Sequence, residues 1–126
     1  MNSNLHPDIL RNIEESKKNG GIQLDKLTAG TCIEAQTRNT LYKIRVLENG
    51  KYMIEGGFYF EEPTEASIVG STWGGSMLKP RWLGIDMHME FWHPSNRLGN
   101  GHGTITTTAV RSLKVLASDQ SWEYTL

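Results

Sequence analysis

His88 and Glu90 stand two residues apart in a stretch of alternating character, and His93 and His102 follow. Two residues apart on a strand means one face, and imidazole with carboxylate is an ordinary ligand set for zinc, iron or manganese. That chemistry would be a divalent-metal centre in a small enzyme or ligand-binding barrel. The plainer reading is that outward strand positions are polar by rule, and that His93 and His102 share a loop with Pro94, Asn96, Gly99, Asn100 and Gly101.

The spacing of His88 and Glu90 resembles that of the histidine-bearing strands of cupin barrels. The resemblance implies a metal-holding β-barrel, but it covers only this strand, and the His-x-His pair and downstream glutamate of that family are missing. A second candidate is the run from Gly70 to Ser76, where Gly74, Gly75 and Ser76 could present backbone N–H groups and a hydroxyl to an anion. It lacks the Gly-Lys-Ser/Thr ending of a P-loop and the strand–loop–helix setting of a dinucleotide fingerprint, so a connecting turn is the simpler account.

Lys43, Arg45, Lys51, Lys79, Arg81, Arg97, Arg111 and Lys114 interleave with Tyr42, Trp73, Trp82 and Trp92, as in barrels that bind single-stranded nucleic acid. With 13 basic against 14 acidic residues the chain has no basic excess, which weighs against that partner. Nucleophilic chemistry has little to stand on. Cys32 lies in the alternating run Cys32-Ile33-Glu34-Ala35-Gln36, and no Gly-x-Ser-x-Gly elbow occurs.

Aromatics away from the core are the remaining signal. Trp82 and Trp92 share a parity with Asp86, His88 and Glu90, and Trp122 and Tyr124 lie in a tail beyond the last strand. Large amphipathic rings outside a core anchor interfaces, or else pack beneath a neighbouring element. Trp82, Asp86, Trp92, Trp122 and Tyr124 are therefore the candidate interface residues.

The elements that must position these groups follow from periodicity. His6-Pro7-Asp8 with Ile9, Leu10 and Ile13 reads as a helix start, ending at Lys17, Lys18 and the Gly20-Gly21 pair, a short cap over one end of a sheet. From Thr31 the period changes to two, and strands are predicted near Cys32–Thr37, Leu41–Leu47, Lys51–Phe58, Ala66–Gly70, Met77–Trp92 with a break near Pro80, and Thr104–Leu116. In the Leu41–Gly57 hairpin a two-residue Asn49-Gly50 turn would set Ile44 opposite Glu55, whereas a three-residue Glu48-Asn49-Gly50 loop sets Val46 opposite Tyr52 and Ile44 opposite Ile54, with Gly50 left-handed. In the long fifth run Leu83, Ile85, Met87, Met89 and Phe91 share the core parity. Loss of alternation around Thr107–Val110 predicts a β-bulge, and the tail could add an edge strand.

The expected fold is mainly β: a small antiparallel β-barrel or sandwich of about six strands with one short N-terminal helix. Residues 1–126 form a single domain, divided into the cap (1–21), the barrel or sandwich (31–116) and the tail (117–126). A lone cysteine fits a reducing cytoplasm, and neither a signal-peptide core nor a membrane span is expected. The expected function is a non-catalytic module for self-association or protein–protein interaction, with a homo-oligomer as the natural state. The alternatives are the metal-dependent barrel, which would add a divalent metal as cofactor, and single-strand nucleic-acid binding.

Overall fold

The computed structural model describes residues 20–73, 77–94, 103–116 and 123–125. Alternation dictates the architecture. β2 (Cys32–Thr37), β3 (Leu41–Val46), β4 (Tyr52–Gly56), β5 (Phe60–Thr72), β8 (His88–Trp92) and β9 (Thr104–Leu116) form a closed antiparallel barrel in the order β9-β2-β3-β4-β5-β8, with β8 returning to β9. Closure settles the barrel against the sandwich. β6 (Lys79–Pro80) pairs with β5, β10 (Glu123–Thr125) extends the sheet beyond β9, and β1 (Gly21–Gln23) forms a separate two-stranded sheet with β7 (Trp82–Gly84).

The hairpin register is the one its side chains require: Val46 faces Tyr52, Ile44 faces Ile54 and Lys43 faces Glu55. Leu47 N–H donates to Lys51 O at 3.1 Å, closing a three-residue loop in which Gly50 has φ 77°. The inward parity of each strand then fills the barrel. Ile33, Ile44, Ile54, Met89, Leu113 and Val115 are fully or almost fully buried, and Phe91 meets Phe60 and Tyr42 edge-on at 5.5 and 5.6 Å. A small barrel packed in this way fills its interior with its own side chains.

Closure needs bends, and the bulges supply them. β9 carries one opposite β8 between His88 and Glu90, in the Thr107–Val110 region expected to hold it, and another opposite β2 between Gln36 and Thr37. β5 begins at Phe60, earlier than alternation indicates, because Glu61-Glu62-Pro63 bulges out of register against β4 while Phe60 stays buried.

Two further differences matter for the site. Residues 21–30, which carry no strand signal, include β1 and a 3-10 turn (Leu24–Lys26), and Ile22 and Leu24 join the core at 1% exposure. The run from Met77 to Trp92 breaks after Pro80, as expected, and a second time before His88, which makes it three strands. The chain turns at Ile85–Met87, where Asp86 takes φ 69°, yet the core parity survives the turn. The predicted N-terminal helix lies outside the described residues. Among those residues no helix is long and apolar enough to cross a membrane.

Candidate functional site: an apolar groove beside β6 and β7

The turn at Asp86 separates the two tryptophans that parity placed on one face. Trp82 belongs to β7 and is 7% exposed, so it is not an exposed anchor, while Trp92 ends β8 at 38% exposure. Trp82 is instead part of an open groove of about 660 Å³. Trp73, Met77, Leu78 and Pro80 line it together with Trp82 and Ile85, and Lys79 and Asp86 supply its charge.

The local sequence explains why a groove forms here. Ser71, wholly buried near the end of β5, donates its hydroxyl to Trp82 O at 2.5 Å and accepts Gly84 N–H at 3.3 Å, which fixes β7 against the barrel. β6 then crosses Gly70 so closely that a Cβ there would lie 2.2 Å from Lys79 O, and Gly70 itself has φ 150°. Only glycine admits both the approach and the backbone angle. Beyond β6, Arg81 is held at φ 55° by three contacts. Its N–H donates to Val69 O (3.0 Å), its carbonyl accepts Leu24 N–H (2.8 Å), and its guanidinium stands 3.8 Å from Asp25.

Met77, Arg81 and Asp86 are the non-glycine residues with positive φ among those described, and all three fall between β5 and β8. Each such backbone costs about 1–3 kcal/mol and persists only where the surroundings over-determine it. That cost is concentrated around the groove. Its exposed wall is correspondingly apolar, with Met77 at 82%, Trp73 at 54% and Leu78 at 43% exposure. Lys79 Nζ sits 3.8 Å from the centroid of the Trp82 ring, a cation–π contact that places a positive charge over an otherwise apolar floor.

The other candidate residues are dispersed. His88 and Glu90 are half-buried on the outer face of β8. His88 Nδ1 stands 2.8 Å from Thr107 O; since a carbonyl only accepts, that nitrogen carries the proton and the ring clamps the β9 bulge. Met89 N–H donates to Thr107 Oγ1 at 3.0 Å in the same place. Among the described residues no group of three or more His, Cys, Asp or Glu is placed to hold a metal ion. Gly74, Gly75, Ser76, His102 and Trp122 lie outside the described residues. Tyr124 falls in β10, and Asp86 is exposed at the groove rim.

Two of the basic residues considered for nucleic acid, Lys43 and Lys114, stand beside acids in register. Across the outer face Lys114, Glu34, Lys43 and Glu55 stand side by side on β9, β2, β3 and β4, alternating in sign. This row borders a smaller depression of about 310 Å³ with Cys32, Arg45 and Met53. A further apolar patch, Leu41, Phe58 and Tyr59, surrounds the β4–β5 turn, where the two rings pack edge-on against each other at 5.5 Å.

Met77 and Leu78 were not singled out from sequence, and Lys79 and Trp73 only within the basic and aromatic set considered for nucleic acid. The available signal was two adjacent large apolar residues, Met77-Leu78, beside Lys79-Pro80, where alternation fails and no core position requires them. Compared with protein-family models, curated proteins and solved structures, the chain matches none of them.

Proposed function

We propose that the chain is a non-catalytic binding module that docks an apolar segment of protein in the groove between Trp73 and Met87. The observation that carries this reading is the contiguity of exposed Trp73, Met77 and Leu78 with the buried Trp82 floor, on a barrel whose own core is already filled. Met and Trp walls suit protein segments. Methionine adapts its shape to different side chains, and tryptophan supplies large contact area at small entropic cost. Lys79 and Asp86 give the groove a charge of each sign, which orients a segment without demanding a strongly charged one.

A random-peptide library selected on the intact chain tests the proposal. The selected peptides carry two or three large apolar residues, and each one buried contributes about 1.5–3 kcal/mol. Leu78→Asp is expected to weaken their binding at least about tenfold, a loss of 1.4 kcal/mol or more. Leu41→Asp, in the separate patch at the β4–β5 turn, is expected to leave it unchanged. Equal affinity for the Leu78→Asp chain contradicts the assignment.

A further inference from the structure

The Trp82 ring rests on two glycines. Gly21 and Gly84 face each other across β1 and β7; a Cβ on Gly21 would lie 2.4 Å from Trp82 Cζ2, and one on Gly84 2.7 Å from Trp82 Nε1. Neither glycine has a positive φ, so each is needed here for space and not for its backbone angle. The indole therefore lies across the pair, and it has no room to retreat from the groove.

Its other side already holds a cation. The glycine side admits no further atom, so Lys79 Nζ, 3.8 Å from the ring centroid, stands on the side that lines the groove. Lys79 is exposed and its ammonium hangs on a flexible four-carbon stem, so it can swing into solvent without disturbing β6. With Lys79 withdrawn, Asp86 is the charged residue left among the described residues that line the groove.

Magnitudes favour an exchange of cations. A cation–π contact at an exposed site is worth about two- to fivefold in an equilibrium constant, and one desolvated beneath a docked segment about thirtyfold. A guanidinium suits the exchange better than an ammonium: it is planar, more weakly hydrated, and able to fork onto a carboxylate while stacked on a ring.

We propose that the protein segment docked in this groove carries an arginine beside its apolar residues, that the guanidinium stacks on Trp82 in place of the Lys79 ammonium, and that Asp86 pairs with its charge. This rests on the reading of the groove as a docking site for apolar protein segments, and names the side chain such a segment must present.

Peptides selected from a random library on the intact chain are expected to share an arginine next to their large apolar residues. Titration calorimetry then compares one such peptide with its citrulline counterpart, which keeps the planar shape and loses the charge. The citrulline peptide is expected to bind the parent chain at least about tenfold more weakly. Lys79→Ala is expected to tighten the arginine peptide about two- to fivefold, because the exposed contact no longer has to be broken. Asp86→Asn, which keeps a residue tolerant of the left-handed backbone there, is expected to weaken the arginine peptide and leave the citrulline peptide unchanged. Unchanged or weaker binding to the Lys79→Ala chain overturns the proposal, as do equal affinities for the two peptides or a selected set without arginine. In each of those cases, peptides that lose affinity for the Leu78→Asp chain keep the groove reading and remove only the arginine; peptides indifferent to Leu78→Asp remove both.

Discussion

The hydroxyl of Ser71 is shared between Trp82 O and Gly84 N–H, both on β7, in a position without solvent access. Ser71→Ala leaves those groups unpaired, and a buried unsatisfied polar group costs about 1–3 kcal/mol. Urea titration is expected to show a lower midpoint at unchanged slope, since a loss of stability need not alter the surface exposed on unfolding. Two tyrosines make a separate prediction about pH. Burial raises the phenol pKa of Tyr42 above 10.0, opposed by a hydrogen bond with Thr40 and assisted by Tyr59. Burial likewise raises Tyr52, with Arg81 opposing and Asp25 assisting. In both, the folded state favours the neutral phenol. The unfolded chain therefore loses its protons first, and stability that is full below pH 10.0 falls as pH rises from there through the folded values. Melting temperature followed from pH 8 to 11.5 is expected to drop above 10, and Tyr42→Phe is expected to make that drop shallower. At this scale the sequence was a partial guide: outward parity correctly marked His88 and Glu90 as off the core, but it could not show that His88 is engaged with Thr107 O.

Strands were most legible where a single geometry satisfied both faces. The β3–β4 hairpin is the clearest case, because a two-residue Asn49-Gly50 turn would have set Ile44 against Glu55. The bulge in β9 was legible for the same reason, as a change of parity between Ile105 and Val110, both buried. Legibility failed where non-local contacts decide. Nothing in Glu61-Glu62-Pro63 indicates that β5 continues through a bulge to Phe60, and nothing in Gly21-Ile22-Gln23 indicates pairing with Trp82–Gly84, sixty residues away. Parity also concealed the turn at Asp86, since the core positions on either side keep the same phase. The tail gives a prediction at this scale. β10 pairs with Lys114–Leu116, so a chain ended after Ala117 leaves that stretch of β9 with an open edge. The barrel is expected to keep cooperative unfolding, because β2 to β9 close without β10, and light scattering is expected to show a rise in mass as the bare edge recruits another copy. An unchanged mass contradicts a covering role for β10, and a fall would mean that the tail joins copies.

For the molecule as a whole, a closed barrel uses its interior for its own side chains, which leaves the outside and the appended strands to carry function. The outer face of β2, β3 and β4 balances its charges in register, and the Phe58–Tyr59 turn packs its rings on each other. The segment from β5 to β8 differs from both: it gathers the left-handed residues Met77, Arg81 and Asp86, the cation–π pair and the exposed apolar side chains of Trp73, Met77 and Leu78 around one concavity. Sequence reasoning named two of its members, Trp82 and Asp86, as interface candidates and joined them to Trp92 and His88 because all share a parity; the fold joins them to Trp73, Met77 and Leu78. The central claim, that this concavity is where a protein segment docks, is tested most directly by titrating a library-selected peptide into the isotopically labelled full chain and mapping the shifted resonances. The account predicts shifts concentrated at Gly20, Trp73 and Met77–Met87. Shifts centred on Leu41, Phe58 and Tyr59, or on Cys32, Lys43 and Met53, would contradict it.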